Sequence, residues 1–212
     1  MKYTHLLFDL DGTLIYSHPG IFKSVNYALD KLGLSRWTEE QMRPFVGPPL
    51  RVSFQKFMGF SPEKAERAVA FYRERYRSIG WREFEPIAGV KELLEDLKKA
   101  GYILALATSK PAVFADQIVK DMGVWDCFDQ GGVAQFDHDN KTYVIEEIVR
   151  RFQADKEKCL MIGDRLYDVE GAKEVGVDCA GLYVGYAEEN ELEKAGATYV
   201  FKDVAALREF LL

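Results

Sequence analysis

From residue 82 onward, short apolar runs alternate with amphipathic stretches, a rhythm that few architectures accommodate. Apolar spacing predicts helices over 90–100, 112–122, 141–152, 167–175 and 204–211, with strand-length apolar runs at 102–107, 159–162 and 179–184. Strands alternating with helices imply a parallel sheet covered on both faces, because each crossover helix packs back onto the sheet. An earlier run, 3–10, reads as one more buried strand, stopped by a turn of two acids and a glycine. Between that turn and residue 82 the pattern is helical throughout. Ile21, Val25, Ala28, Leu29 and Leu32 recur at helical spacing up to Gly33, and Thr38 with Gln41 has the form of a capping box. Ser61 before Pro62 opens a longer helix, whose face runs through Ala65, Val69, Tyr72 and Tyr76 towards Gly80. The reading is an α/β fold: a Rossmann-like open parallel-sheet core, residues 1–15 and 82–212, split after its first strand by an all-helical insertion, residues 16–81. With 212 residues and 48% apolar content the chain can bury such a core.

A formal charge of −6 supplies no field that would gather nucleic acid or anionic lipid. The expected partner is a small molecule, and an anionic one must be drawn in by local cations, backbone amides or a metal. Cys127, Cys159 and Cys179 are odd in number and sit among apolar residues, so they predict buried thiols rather than disulfides or a zinc site. Asp9 and Asp11 interrupt the only early apolar run, which removes the pattern of a signal peptide, and no stretch has the length of a membrane span. A cytoplasmic location is the expectation.

Ligands of open parallel sheets bind beyond the carboxyl ends of the strands. Three of those ends carry reactive side chains: Asp9-Leu10-Asp11-Gly12-Thr13, Thr108-Ser109-Lys110, and Gly163-Asp164-Arg165-Leu166-Tyr167-Asp168. Asp9 and Asp11 would point to opposite faces of a continuing strand, but Gly12 lets the chain turn so that both approach one centre. One acid can then attack while the other moves a proton. A carboxylate nucleophile forms an acyl phosphate and so divides one hard displacement into two easier steps. Attack by an anion on an anionic ester needs a cationic shield, and oxygen ligands suit magnesium. Asp164 is the natural remote ligand, with Asp168 as a further ligand or its supporting partner. Thr108 and the amides around Ser109 and Gly12 can hold phosphoryl oxygens, and Lys141 can neutralise charge in transfer. Taken singly, each feature has a plainer reading. Asp-X-Asp-Gly resembles part of a calcium loop, but its glycine falls too early and no Glu closes it; Thr108 or Ser109 alone suits a helix N-cap; Lys141 and Arg165 alone suit solvated positions.

Four motifs in order, Asp9-Leu10-Asp11-Gly12-Thr13-Leu14, Thr108-Ser109-Lys110, Lys141, and Gly163-Asp164 followed by Asp168, make the chain resemble the haloacid dehalogenase superfamily of phosphatases over essentially its whole length. The resemblance implies Asp9 as nucleophile and Asp11 as general acid/base. It also implies magnesium held by the Asp9 side chain, the Asp11 backbone carbonyl and Asp164, with Thr108 and Lys141 on the phosphoryl group and the helical insertion as a cap. An acid at Asp11 sets the chain apart from the dehalogenase and phosphonatase branches, which lack one there. Within the superfamily it is most similar to phosphoglycolate phosphatases and 5′-nucleotidase-like proteins, through 44–50, Thr108 to Pro111 and Gly171-Ala172. It departs from them at Thr142, where proline is usual. The substrate expected is a small phosphorylated metabolite, phosphoglycolate or a nucleoside 5′-monophosphate, with Arg43 and Arg51 as the first residues to consider for leaving-group contacts. A sugar phosphomutase and a non-catalytic binding protein are the alternative functions, separated from a phosphatase by the fate of a phospho-enzyme and by its absence.

Overall fold

The structure, a computed structural model, describes residues 2–129 and 140–212. The chain enters through β1 (His5–Phe8), rounds the acidic turn and continues into β2 (Ile15–Tyr16). Four helices follow: α1 (His18–Lys31), α2 (Glu39–Met42), α3 (Leu50–Met58) and α4 (Pro62–Ser78). After β3 (Glu85–Pro86) come α5 (Val90–Lys99), β4 (Ile103–Leu106), α6 (Ala112–Asp121), α7 (Lys141–Phe152) and β5 (Cys159–Gly163). The chain ends through α8 (Leu166–Val175), β6 (Asp178–Leu182), α9 (Glu191–Ala195), β7 (Tyr199–Phe201) and α10 (Val204–Leu211).

Two compact units result, one of Met1–Ile15 with Pro86–Leu212, the other Tyr16–Glu85. In the first, five parallel strands lie in the order β4-β1-β5-β6-β7. The chain runs from β1 to β4 on one side and then crosses to β5 on the other, so β1 lies at the point where the strand order reverses. Leu6, Leu7 and Phe8 of β1, like Leu160, Met161 and Ile162 of β5, are all buried, as strands covered on both faces must be. Helices α7 and α8 pack over one part of this core, where Val144, Ile145, Ile148, Val169 and Ala172 meet Leu7 and Met161.

The second unit is helical, and its helices begin where the capping chemistry places them. Thr38 and Gln41 form the reciprocal capping box at α2, while Ser61 accepts the Lys64 amide ahead of Pro62 at α4. Its end falls at Glu85 rather than near residue 81. The 3₁₀ turn Gly80–Arg82 leads into Glu83, whose carbonyl accepts the Gly20 amide of α1 at 2.9 Å and whose carboxylate is held by Arg75 at 2.6 Å and Lys23 at 3.0 Å. The two ends of this unit are not helical, since Tyr16 and Glu85 belong to β2 and β3, which pair as a two-stranded ribbon. In the core, β7 and α9 add two elements that apolar spacing did not reveal, for three and five residues are too few to establish a period.

Candidate active site

Backbone geometry brings the acids together before any side chain does. Beyond β1 the Gly12 amide donates to the Ile15 carbonyl at 2.8 Å and the Leu14 amide to the Leu10 carbonyl at 2.9 Å, closing a tight turn around Gly12, whose φ is +89°. Only glycine adopts that conformation without strain, and a Cβ there would lie 2.2 Å from Asp164 Oδ2. Gly185, in the loop after β6, is equally confined, since its Cβ would lie 2.1 Å from the same oxygen. Asp164 therefore sits in a cradle of two glycines. Its Oδ2 accepts the Tyr186 amide at 2.7 Å and its Oδ1 accepts the Thr13 hydroxyl at 3.2 Å.

Lys141, the first residue of α7, joins the three strand ends. Its Nζ lies 2.7 Å from Asp9 Oδ1, 2.9 Å from Asp168 Oδ1 and 2.9 Å from the Ala107 carbonyl, which precedes Thr108. Gly171 on α8 makes room for the lysine stem, as a Cβ there would stand 3.1 Å from Lys141 Cγ. The plainer reading of Lys141 as a solvated lysine does not hold, because only 9% of this side chain is exposed. Asp168 also accepts the Arg165 amide at 3.1 Å, an N-terminal bond that fixes the start of α8.

Oxygens of Asp9, Asp164 and Asp168 lie within 4.8 Å of one another, and all three residues are buried. Burial pushes the Asp9 carboxyl up to about 7 against the pull of Lys141, with Asp168 adding to the rise. The Asp164 carboxyl is held well above the ordinary range by burial, and then by Asp168 and Asp9. Burial also disfavours the Lys141 ammonium, but Asp168 and Asp9 more than offset it and keep the lysine protonated. Together with Asp11 there are four carboxylates facing two ammoniums, Lys141 and Lys110. Carboxyls crowded into one buried cluster would be relieved by a cation, and an all-oxygen donor set fits a hard divalent one such as magnesium.

Thr108 is not a helix cap. Helix α6 starts after Pro111 with no side-chain cap, while the buried Thr108 hydroxyl accepts the Lys110 amide at 3.1 Å and so shapes its own loop; Ser109 beside it is partly exposed. Nor is Arg165 solvated, because its Nε donates to Glu191 at 2.8 Å and 17% of its side chain is exposed. The three cysteines are free and buried. Arg43 and Arg51 belong to the helical unit, Arg43 exposed and Arg51 paired with Glu66. Residues the sequence reading gave no role also serve the site. Lys110 Nζ lies 2.9 Å from Asp11 Oδ1, Gly185 and Tyr186 cradle Asp164, and Glu191 accepts both Arg165 and the Leu166 amide. Lys110 within a strand-end run and the Gly-Tyr pair just past a predicted strand were the signals the sequence offered.

A sheet that reverses its strand order at β1 carries an acid cluster and a lysine at its carboxyl ends, where ligands of such sheets bind. The haloacid dehalogenase-like hydrolase family matches residues 6–182, and the chain belongs to it, as an enzyme of the phosphatase type. A 5′-nucleotidase from Pseudomonas aeruginosa is 39% identical over 217 residues, covering 100% of this chain and 96% of that protein. A phosphoglycolate phosphatase from Vibrio cholerae is 29% identical, covering 98% of this chain and 96% of its own. Among solved structures, a Clostridium difficile protein described as a phosphatase superposes with a TM-score of 0.89 at 36% identity, covering 100% of both chains.

Proposed function

We propose that the protein hydrolyses small phosphate monoesters with magnesium, through a phospho-aspartate on Asp9. The observation that carries this reading is the placement of Asp9 at the end of β1, buried, with Lys141 at 2.7 Å and the Asp164 and Asp168 carboxylates beside it. In this reading an Asp9 oxygen attacks phosphorus, the bond to the leaving oxygen breaks, and its electron pair takes the proton of Asp11. Water then attacks phosphorus, gives its proton to Asp11, and the bond to Asp9 breaks to return the free carboxylate. Asp9, Asp164 and the Asp11 backbone carbonyl would hold the magnesium ion, with Asp168 fixing Lys141 beside them. Bound there, the ion neutralises phosphoryl charge that would otherwise repel the Asp9 carboxylate. Thr108, the Ser109 amide and Lys141 hold the phosphoryl oxygens; the Gly12 amide, expected among them, instead donates to the Ile15 carbonyl at 2.8 Å and shapes the turn. The helical unit serves as a cap, and Arg43 is the first of its two candidate arginines to test, since Arg51 is engaged with Glu66.

The names of the relatives set the order of substrates. A nucleoside 5′-monophosphate comes first, because the P. aeruginosa 5′-nucleotidase shares 39% identity over the full chain, and phosphoglycolate second. The test is magnesium-dependent phosphate release from nucleoside 5′-monophosphates, phosphoglycolate and sugar phosphates, in the wild type and in Asp9→Asn. Release from at least one alkyl ester, lost in the variant, is expected. No release from any of them would count against the reading.

A further inference from the structure

Lys110 is a buried lysine that the catalytic scheme above does not use. Its side chain is 7% exposed, and its Nζ stands 2.9 Å from Asp11 Oδ1. A lysine so buried needs an anionic partner, and breaking such a pair leaves an uncompensated charge. Strand register explains the meeting. β1 and β4 are neighbours paired Phe8 with Leu106, so the turn after Asp9 and the loop after Ala107 leave the sheet side by side. The Lys110 amide is tied to the Thr108 hydroxyl at 3.1 Å, which anchors the base of the lysine in the phosphate-holding loop. Asp11 Oδ1 is itself buried and takes the lysine's charge without an aligned hydrogen bond, so it keeps capacity for another donor.

We propose that Lys110 is a positioning residue that holds the Asp11 carboxylate in place for proton transfer. This rests on the reading of Asp11 as the proton carrier. Lys110 thereby links the loop that holds the phosphoryl group to the group that serves the leaving oxygen, setting the two at a fixed distance. Its effect runs through Asp11 and not through the ester, so substrate affinity is not its measure.

The experiment is a double-mutant cycle read as separate kcat and KM values, on adenosine 5′-monophosphate or phosphoglycolate, whichever turns over faster. Wild type, K110Q, K110R, D11N and K110Q/D11N are compared, with thermal unfolding of each to establish that it is folded and K110M in reserve if K110Q is not. In the wild-type background K110Q lowers kcat about 10- to 100-fold with KM changed less than about 2-fold, within the range that general acid–base catalysis supplies, and K110R recovers part of the loss. In the D11N background K110Q costs less than about a further 2-fold, since residues acting as a unit are not additive. An equal loss in both backgrounds, or a rise in KM with kcat unchanged, makes Lys110 a direct ligand of the ester and overturns the proposal. An inert K110Q beside an impaired D11N overturns it alone. D11N with wild-type kcat overturns the Asp11 reading and the role of Lys110 with it.

Discussion

Asp164 is the residue whose surroundings leave least freedom. Two glycine positions, a backbone amide and a threonine hydroxyl define where its carboxylate stands. Gly185 tests that cradle better than Gly12, because Gly12 has a positive φ and any side chain there strains the backbone as well. In G185A the new Cβ meets Asp164 Oδ2 at 2.1 Å and the Gly12 carbonyl at 2.3 Å, so the carboxylate must move. The expected outcome is a magnesium response about 10- to 100-fold weaker, as for other partners that orient a metal ligand, measured by titrating magnesium against thermal unfolding. An unchanged magnesium response would show that the cradle does not set the carboxylate's position. At this scale Asp9, Lys141, Asp164 and Asp168, which the structure brings together, could be picked out because they end or follow predicted strands or begin predicted helices. The partners of Lys110, Gly185 and Glu191 could not, because they depend on which loops become neighbours, and that follows from strand order rather than from local pattern.

Among the elements, the helical unit is closed by contacts between α1 and the segment after α4. Gly20 of α1 lies against Gly80, where a Cβ on Gly20 would come within 1.9 Å of the Gly80 carbonyl oxygen. G20A therefore has backbone, not a flexible side chain, in its way, and the expected cost is about 1–3 kcal/mol of stability from overpacking, measured by urea unfolding. Stability equal to the wild type would show that the crossing relaxes freely. Long periodic segments were read with correct limits, as for α7 at 141–152 and α10 at 204–211, because several turns of helix repeat the apolar spacing. The boundary at Glu85 was missed by a few residues for the opposite reason. What keeps 80–83 with the helices is an ion pair and a glycine contact made across the unit, to which no local pattern points.

For the whole molecule, a buried acid cluster is expected to make stability depend on pH and, in the proposed reading, on magnesium. Asp9 is raised by burial to about 7, and Asp164 is raised in the same sense. An aspartate in the unfolded chain titrates near about 4. A carboxyl raised in the folded state binds its proton more tightly there, so its contribution to stability is fully present below about pH 4 and is lost as the pH climbs through about 7. In chelator, the unfolding temperature is expected to fall between about pH 5 and about pH 8, and millimolar magnesium should raise it most at the upper end, where it no longer competes with protons. A magnesium increment independent of pH would argue that the ion binds elsewhere.

The central claim is that phosphoryl transfer passes through Asp9. It is tested most directly by quenching the enzyme in acid during turnover of a phosphate-labelled ester with magnesium present, then locating the label by peptide mapping. The account predicts label on Asp9, released by hydroxylamine as an acyl phosphate is, and none in Asp9→Asn. Label on another residue, or turnover by Asp9→Asn at the wild-type rate, would contradict it.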